Sequence, residues 1–293
     1  MSTITPTELQ AAATEIVEKP SRKRKINWWR ILSYLVLLIF AIIYLGPLFM
    51  LINTSLKTTP EFFKNATSLA TSLNFDNFVE AWEKASFPRL LLNSVIYTAV
   101  STTLYIITAI FVAFPLARGL VRGHKLLYTL FVIALFLPAA LIPQFQLILF
   151  LGLYNNPVGF ILFFLINPIG IIILVGYIRT LPRELDESAA MDGCGYFRFV
   201  WQIIIPLSRP AIATVIVLHA IGIWNELILP TIYLTSEEYF PITRGLIVFQ
   251  GVYGSDWPTL AAAVMMITVP MLILFLFLQR HMISGLTAGA VKG

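Results

Sequence analysis

The chain has 293 residues, 58% of them hydrophobic and 12% charged, with a formal net charge of +5. A soluble domain carries about 25% charged residues, so a set of soluble domains is excluded; the apolar stretches are continuous rather than alternating over roughly ten residues, which excludes a β-barrel. The positive surplus reads as a topology signal rather than a nucleic-acid surface, the single Cys194 excludes an internal disulfide or a multi-cysteine metal site, and the histidines 124, 219 and 281 are too scattered to form a metal centre.

In chain order, residues 1–30 read as a cytoplasmic N-terminal tail, polar through residue 26, ending in the basic run Ser21-Arg-Lys-Arg-Lys and with a short helix expected across Glu8–Glu18. The first apolar segment, near 31–52, is longer than a signal-peptide core and has no small-x-small cleavage site, so it is expected to remain as a span. Further spans are expected near 90–115, 127–151, 158–178, 209–232 and 259–279, close to the ~20 residues that cross a bilayer as helix. The fold class is therefore an all-α polytopic membrane protein with six transmembrane helices. Pro138, Pro143 and Pro168 are expected to kink their spans.

Two segments between spans are substantial. Residues 53–89 include an amphipathic stretch from Phe75 to Lys84, and residues 233–258 are rich in Gly, Tyr and acids. Each reads as a capping loop on the helix ends or as a surface for a soluble partner. Residues 281–293 are expected as a cytoplasmic tail, small and flexible over Ser284–Gly293. There is no internal repeat and no low-complexity tract.

The positive-inside rule orients the chain. With the N-terminus inside, fifteen of the twenty Lys and Arg fall in the tail, the turn at 116–126, the loop at 179–208 with Arg209 at its end, and the C-terminus; Lys57, Lys64, Lys84, Arg89 and Arg244 fall outside. Both termini and the 179–208 loop are thereby placed in the cytoplasm.

That loop carries four acids (Glu184, Asp186, Glu187, Asp192) and four small residues (Ser188, Ala189, Ala190, Gly193). Pro182 suits the first position of a helix. The acids favour the positive end of its dipole. Leu185 and Ala189 share a face at i, i+4, and Gly193 and Gly195 turn the chain. A second helical piece from Tyr196 leads through Pro206 and Pro210 into the fifth span. The expected product is a short, slender helix lying across the cytoplasmic face, suited to a groove in another protein.

The pattern Glu187-Ser188-Ala189, Gly193, Ile203, Ile205 and Pro206 resembles the EAA motif of ATP-binding-cassette importer permeases, with Ser in place of the first Ala and Ile in place of Leu. Asp192-Gly193 resembles the carbohydrate branch. Leu92-Asn93-Ser94, Trp224-Asn225-Glu226 and the terminal Gly285–Gly293 are similar to the sugar-importer permeases, in particular the smaller permease of maltose-type systems. The resemblance runs from about residue 31 to 293. It implies a type I importer permease fold in the inner membrane of a prokaryote, with a cytoplasmic coupling helix and alternating access. Implied partners are a second permease subunit forming a heterodimer, two cytoplasmic ATPase subunits and an extracytoplasmic solute-binding protein. The chain has no Gly-x-x-x-x-Gly-Lys-Ser/Thr loop, so it is read as non-catalytic and without a bound cofactor, ATP and magnesium belonging to the ATPase. The ATPase-coupling residues implied are Glu184, Glu187, Ser188, Ala189, Asp192, Gly193, Ile203 and Pro206.

Polar residues inside the spans are candidates for the substrate path. Glu226 is the one acid placed within a span, where a charge costs at least about 2.5–3.5 kcal/mol on insertion scales. With Trp224 and Asn225 it has the groups to take sugar hydroxyls and an apolar ring face, or to make an interhelical hydrogen bond or an interface anchor. Gln144, Gln146 and Asn93 line the path or act as helix–helix glue. His219 reads as a buried structural residue and Cys194 as a small filler. Alternatives are a permease for a non-sugar small solute, a stand-alone secondary transporter, which lacks support because no repeats with broken ion-binding helices are present, and a membrane-embedded enzyme, for which only Glu226 and His219 are available.

Overall fold

Lipid offers the backbone no hydrogen-bond partner, so continuous apolar runs must satisfy themselves as helix. The computed structural model describes residues 28–84, 86–138, 140–251 and 254–290. In chain order its helices are α1 (Trp28–Ser55), α2 (Thr59–Lys64), α3 (Asp76–Lys84), α4 (Phe87–Arg118), α5 (His124–Ala134), α6 (Leu141–Phe150), α7 (Pro157–Phe163), α8 (Pro168–Ile178), α9 (Glu184–Met191), α10 (Tyr196–Phe199), α11 (Arg209–Trp224), α12 (Ile228–Tyr233), α13 (Ile242–Gly245) and α14 (Trp257–Ala290). Among the described residues the only strands are a small antiparallel hairpin, β1 (Gln250–Gly251) and β2 (Gly254–Ser255).

The chain divides into two units, Met1–Phe49 and Met50–Gly293. Among its described residues the first is the greater part of α1, with Pro47 inside the helix. The basic run and the helix expected at Glu8–Glu18 lie outside the described residues.

Among the described residues, three helices are long and apolar enough to cross a membrane: α1, α4 and the Trp257–Gln279 part of α14. They cover the stretches expected as spans at 31–52, 90–115 and 259–279. The other expected spans are broken, and each break has a local cause. The 127–151 stretch is two short helices, α5 and α6. The chain leaves helix before Pro138, because proline lacks the N–H and disfavours α geometry in the residue before it. Pro143 instead sits in the first turn of α6, where the N–H would be unpaired anyway, so the kink expected there does not form.

The 158–178 stretch is α7 and α8, bent by 45°. Asn167 makes the break by capping α8: its side chain accepts the Ile169 N–H at 3.0 Å. The 209–232 stretch is α11 and α12, separated around Asn225–Leu227. At the far end, α14 continues to Ala290, through residues expected to be a flexible tail. That stretch contains no proline, and Gly285 and Gly289 weaken the helix without ending it. Residues 291–293 lie outside the described residues.

The packing centre is α4. It packs against α8 and α11; α11 also packs against α14, and α8 against α5. The main core joins Tyr105, Ile110, Phe114 and Ala117 of α4 to Leu174 and Val175 of α8 and Val215 of α11. Burial of this kind contributes roughly 1.5–3 kcal/mol per large apolar side chain in water, and less where lipid is the alternative solvent. A polar tie crosses the same region. His219 Nε2 donates to the Phe164 carbonyl at 2.8 Å, which leaves Nδ1 to accept from the Thr102 hydroxyl at 3.2 Å. The Tyr105 ring stacks on His219 at 4.2 Å, and its hydroxyl donates to the Asn167 carbonyl. His219 is thus structural, as its sequence context suggests.

The segment between α1 and α4 is a built scaffold. Lys57 is fully buried, and its ammonium donates to the carbonyls of Asn65 and Ala66, both at 2.9 Å. Asn53 bridges to Ser68 and Ala70. Asn77 donates to the carbonyls of Ser55 and Lys57 at 2.8 Å each. The amphipathic stretch expected near Phe75–Lys84 is α3, which lies against α14 with Ala81 wholly buried.

Candidate functional site

The acidic loop contains a two-turn helix, α9, entered one step later than Pro182 would suggest. Pro182 precedes the helix, Arg183 is the N-cap, and the Asp186 and Glu187 N–H groups donate to the Arg183 carbonyl. The proline shapes the approach instead of starting the helix. Glu184, Asp186 and Glu187 occupy the first turn, where the helix dipole favours them.

The far end closes on glycine. Gly193 has φ 66, in the left-handed region. Its N–H donates to the Ala190 carbonyl at 3.1 Å and the Cys194 N–H to the Ala189 carbonyl at 2.9 Å, the paired bonds of a Schellman cap. No atom lies within 4 Å of where a Cβ on Gly193 would sit. Glycine is required here by backbone conformation, and the space beside it is open.

One face of α9 is buried and the other is open. Ala189 is buried in the main core and Leu185 is half-buried. Glu184, Glu187, Ser188, Ala190, Asp192 and Gly193 are exposed, and Met191 projects at the tip with 89% of its surface open. The Ser188 hydroxyl turns back to the Glu184 carbonyl at 2.7 Å.

Arg118, the last residue of α4, reaches into this loop. Its Nε lies 2.8 Å from Asp186 Oδ2, Nη1 donates to the Leu181 carbonyl at 3.0 Å and Nη2 to the Pro182 carbonyl at 3.3 Å. The Nε–H is not aligned for a hydrogen bond, so the contact with Asp186 is an ion pair. Sequence reading registers Arg118 only as an inside charge. The available signal was an arginine in the last turn of a span, where a cation suits the helix C-terminus.

Beyond the cap, α10 passes into a π-helix over Val200–Ile204 before a last turn at Ile205–Leu207. The piece Tyr196–Leu207 then bends by 82° into α11. Ile203 is half-buried within the π turn, and Pro206 is exposed at the corner. A π turn leaves a site poorly held by its own ladder, and such turns are frequent at functional sites.

The path candidates fall into separate places. Trp224 is buried and its Nε1 donates to the Ile267 carbonyl of α14 at 3.2 Å. One carboxylate oxygen of Glu226 accepts the N–H groups of Ile228 and Leu229 at 2.8 and 3.1 Å, which caps α12. Asn225 is exposed at the end of α11, with its amide on the Ile221 carbonyl at 3.0 Å. Asn93 donates to the carbonyls of Glu238 and Phe240 at 2.8 and 3.0 Å, pinning the 233–258 segment to α4. Gln144 is half-buried and Gln146 exposed, both on α6, and no hydrogen bond among the described residues joins them to Trp224–Glu226. The structure therefore places the polar groups of Trp224, Glu226 and Asn93 within the chain's own framework.

This architecture has known counterparts. Residues 87–287 match the family described as binding-protein-dependent transport system inner membrane component. The chain belongs to this family. The permease is 31% identical to the arabinooligosaccharides transport system permease protein AraQ of Bacillus subtilis (strain 168), over 90% of this chain and 96% of that one. It is likewise 31% identical to the melibiose/raffinose/stachyose import permease protein MelC of the same organism, over 93% of this chain and the whole of its relative. Among solved structures it resembles a bacterial ABC transporter involved in import of the acidic polysaccharide alginate, with a TM-score of 0.78 at 23% identity, over 89% of this chain and 99% of that one. The permease is thus a transport component of membrane-spanning architecture, and the EAA motif that Glu187–Gly193 resembles is typical of its family.

Proposed function

We propose that this permease is one half of the membrane channel of an ATP-driven sugar importer and that α9 is its coupling helix. Sugar is favoured as the substrate class because AraQ and MelC carry oligosaccharide names at 31% identity. A second permease subunit completes the path, two cytoplasmic ATPase subunits meet the two coupling helices, and an extracytoplasmic binding protein delivers the solute. The chain binds no cofactor and performs no chemistry. In this reading the chain crosses a prokaryotic inner membrane six times, and the fifteen-to-five division of basic residues supports both termini and α9 lying in the cytoplasm.

The observation that carries the reading is the form of α9: a two-turn helix with one face in the span core, the other exposed, and an open glycine-capped tip. Small exposed side chains let the helix enter a cleft, and the buried face ties any push to the spans. The test is oligosaccharide uptake in cells carrying Glu187→Lys or Gly193→Leu. Both variants are expected to remain in the membrane and to lose uptake. Normal uptake by both would remove the coupling role.

A further inference from the structure

The helix α9 leaves α8 and leads to α11, yet its polar ties run to α4, which is sixty residues away in sequence. At its entrance Arg118 binds Asp186 and the carbonyls of Leu181 and Pro182 at once. Past its exit, the Tyr196 hydroxyl donates to the Phe111 carbonyl at 2.8 Å, and the Tyr196 ring lies against Phe114. Between these points Ala189 joins Phe114 and Ala117 in one core. Both ends of α9 are therefore fastened to the last turns of α4.

We infer that Arg118 is a positioning residue that makes α9 and α4 one mechanical unit, so that displacement of α9 is delivered first to α4. The inference rests on the coupling reading of α9. Three features favour it over a role in stability alone. The Arg118 side chain is only 6% exposed and Asp186 Oδ1 is buried without a hydrogen-bond partner. A buried pair left incompletely satisfied is weak evidence for a stability role. The planar guanidinium grips three acceptors from one rigid group, which a lysine ammonium on a flexible stem does not reproduce. And α4 is more enclosed than α14, with 44% of its most apolar window buried against 22%, so movement of α4 reaches α8 and α11 directly and α14 through α11.

The experiment uses the complete transporter with its partners in proteoliposomes, comparing wild type, Arg118→Gln, Arg118→Lys and Asp186→Asn for transport and ATP hydrolysis. Spin labels at Val121 and Ala190, in a Cys194→Ser background, report the α4–α9 distance. Loss of one charge-assisted contact corresponds to about tenfold in an equilibrium. Transport per ATP hydrolysed is accordingly expected to fall about tenfold in Arg118→Gln, and only partial function is expected from Arg118→Lys. The label distance should broaden while ATP hydrolysis and co-purification persist. Should Arg118→Gln fail to accumulate, Asp186→Asn carries the same test with the arginine still on its carbonyls. An unchanged distance distribution or an unchanged transport-to-hydrolysis ratio, with Glu187→Lys inactive, overturns the α4 linkage alone. Full transport by Glu187→Lys and Gly193→Leu overturns the coupling reading itself.

Discussion

At the scale of residues, Gly193 separates folding from docking. Its φ of 66 imposes a penalty on any side chain, about 1–2 kcal/mol for a residue forced into the left-handed region. Because nothing lies within 4 Å of its notional Cβ, that penalty is the same in kind for alanine and leucine. Gly193→Ala and Gly193→Leu are therefore expected to lower thermal stability of the isolated permease by similar amounts. Uptake should fall much further for leucine, because only a partner seated against the tip discriminates by volume. Equal uptake in two equally stable variants would place no partner at Gly193. The contrast with Trp224 and Glu226 is instructive. Sequence alone left them between sugar contact and structural bond, since residue type announces polar capacity and not its target. The fold directs the indole to Ile267 and the carboxylate to the start of α12.

At the scale of elements, apolar length identified α1, α4 and α14 because nothing but lipid or core suits such runs. It overestimated continuity at 127–151 and 209–232, where Pro138 and the Asn225-Glu226 pair end helices locally while hydropathy stays high. The position of α9 was legible from its acids and glycines, which act within a turn or two. Arg118 was not, because a contact between residues 118 and 186 exists only once α4 and α9 are packed together. The segment between α1 and α4 was legible as a polar connection with one amphipathic stretch, which is α3, but its internal ties were not. Its order comes from Lys57, Asn53, Asn77 and Glu61, whose partners lie up to 22 residues away. Glu61 supplies a measurable handle. The Thr71 N–H and hydroxyl donate to its carboxylate at 2.6 and 2.9 Å and hold its pKa below the ordinary 4.5. A lowered folded pKa stabilises above the unfolded value and is lost as pH falls through the folded value. Hydrogen exchange over residues 59–75, corrected for intrinsic rates, is expected to show constant protection above pH 4.5 and loss on the acid side. Glu61→Gln should show reduced protection at neutral pH and a smaller acid step. An acid step of full size in that variant would assign it to another group.

At the scale of the whole molecule, orientation decides what α9 meets, and the chain contains its own reporter. Cys194, the single cysteine, follows the Gly193 turn and is half-buried. The proposed topology, drawn from the basic residues, has that turn inside and Lys64, exposed at the end of α2, outside. The arrangement is also energetically coherent, since moving Arg179, Arg183, Arg198 and Arg209 together to the outer face would reverse the rule at the loop with the most basic residues. A membrane-impermeant maleimide is expected to spare Cys194 in spheroplasts and to label it in inverted vesicles, whereas a permeant maleimide labels it in both. In a Cys194→Ser background, Lys64→Cys should give the opposite pattern with the impermeant reagent. Half-burial slows the Cys194 reaction equally from either side, so the comparison between preparations is unaffected. Labelling of Cys194 from outside in intact spheroplasts, as fast as Lys64→Cys, would invert the topology and leave α9 facing no ATPase.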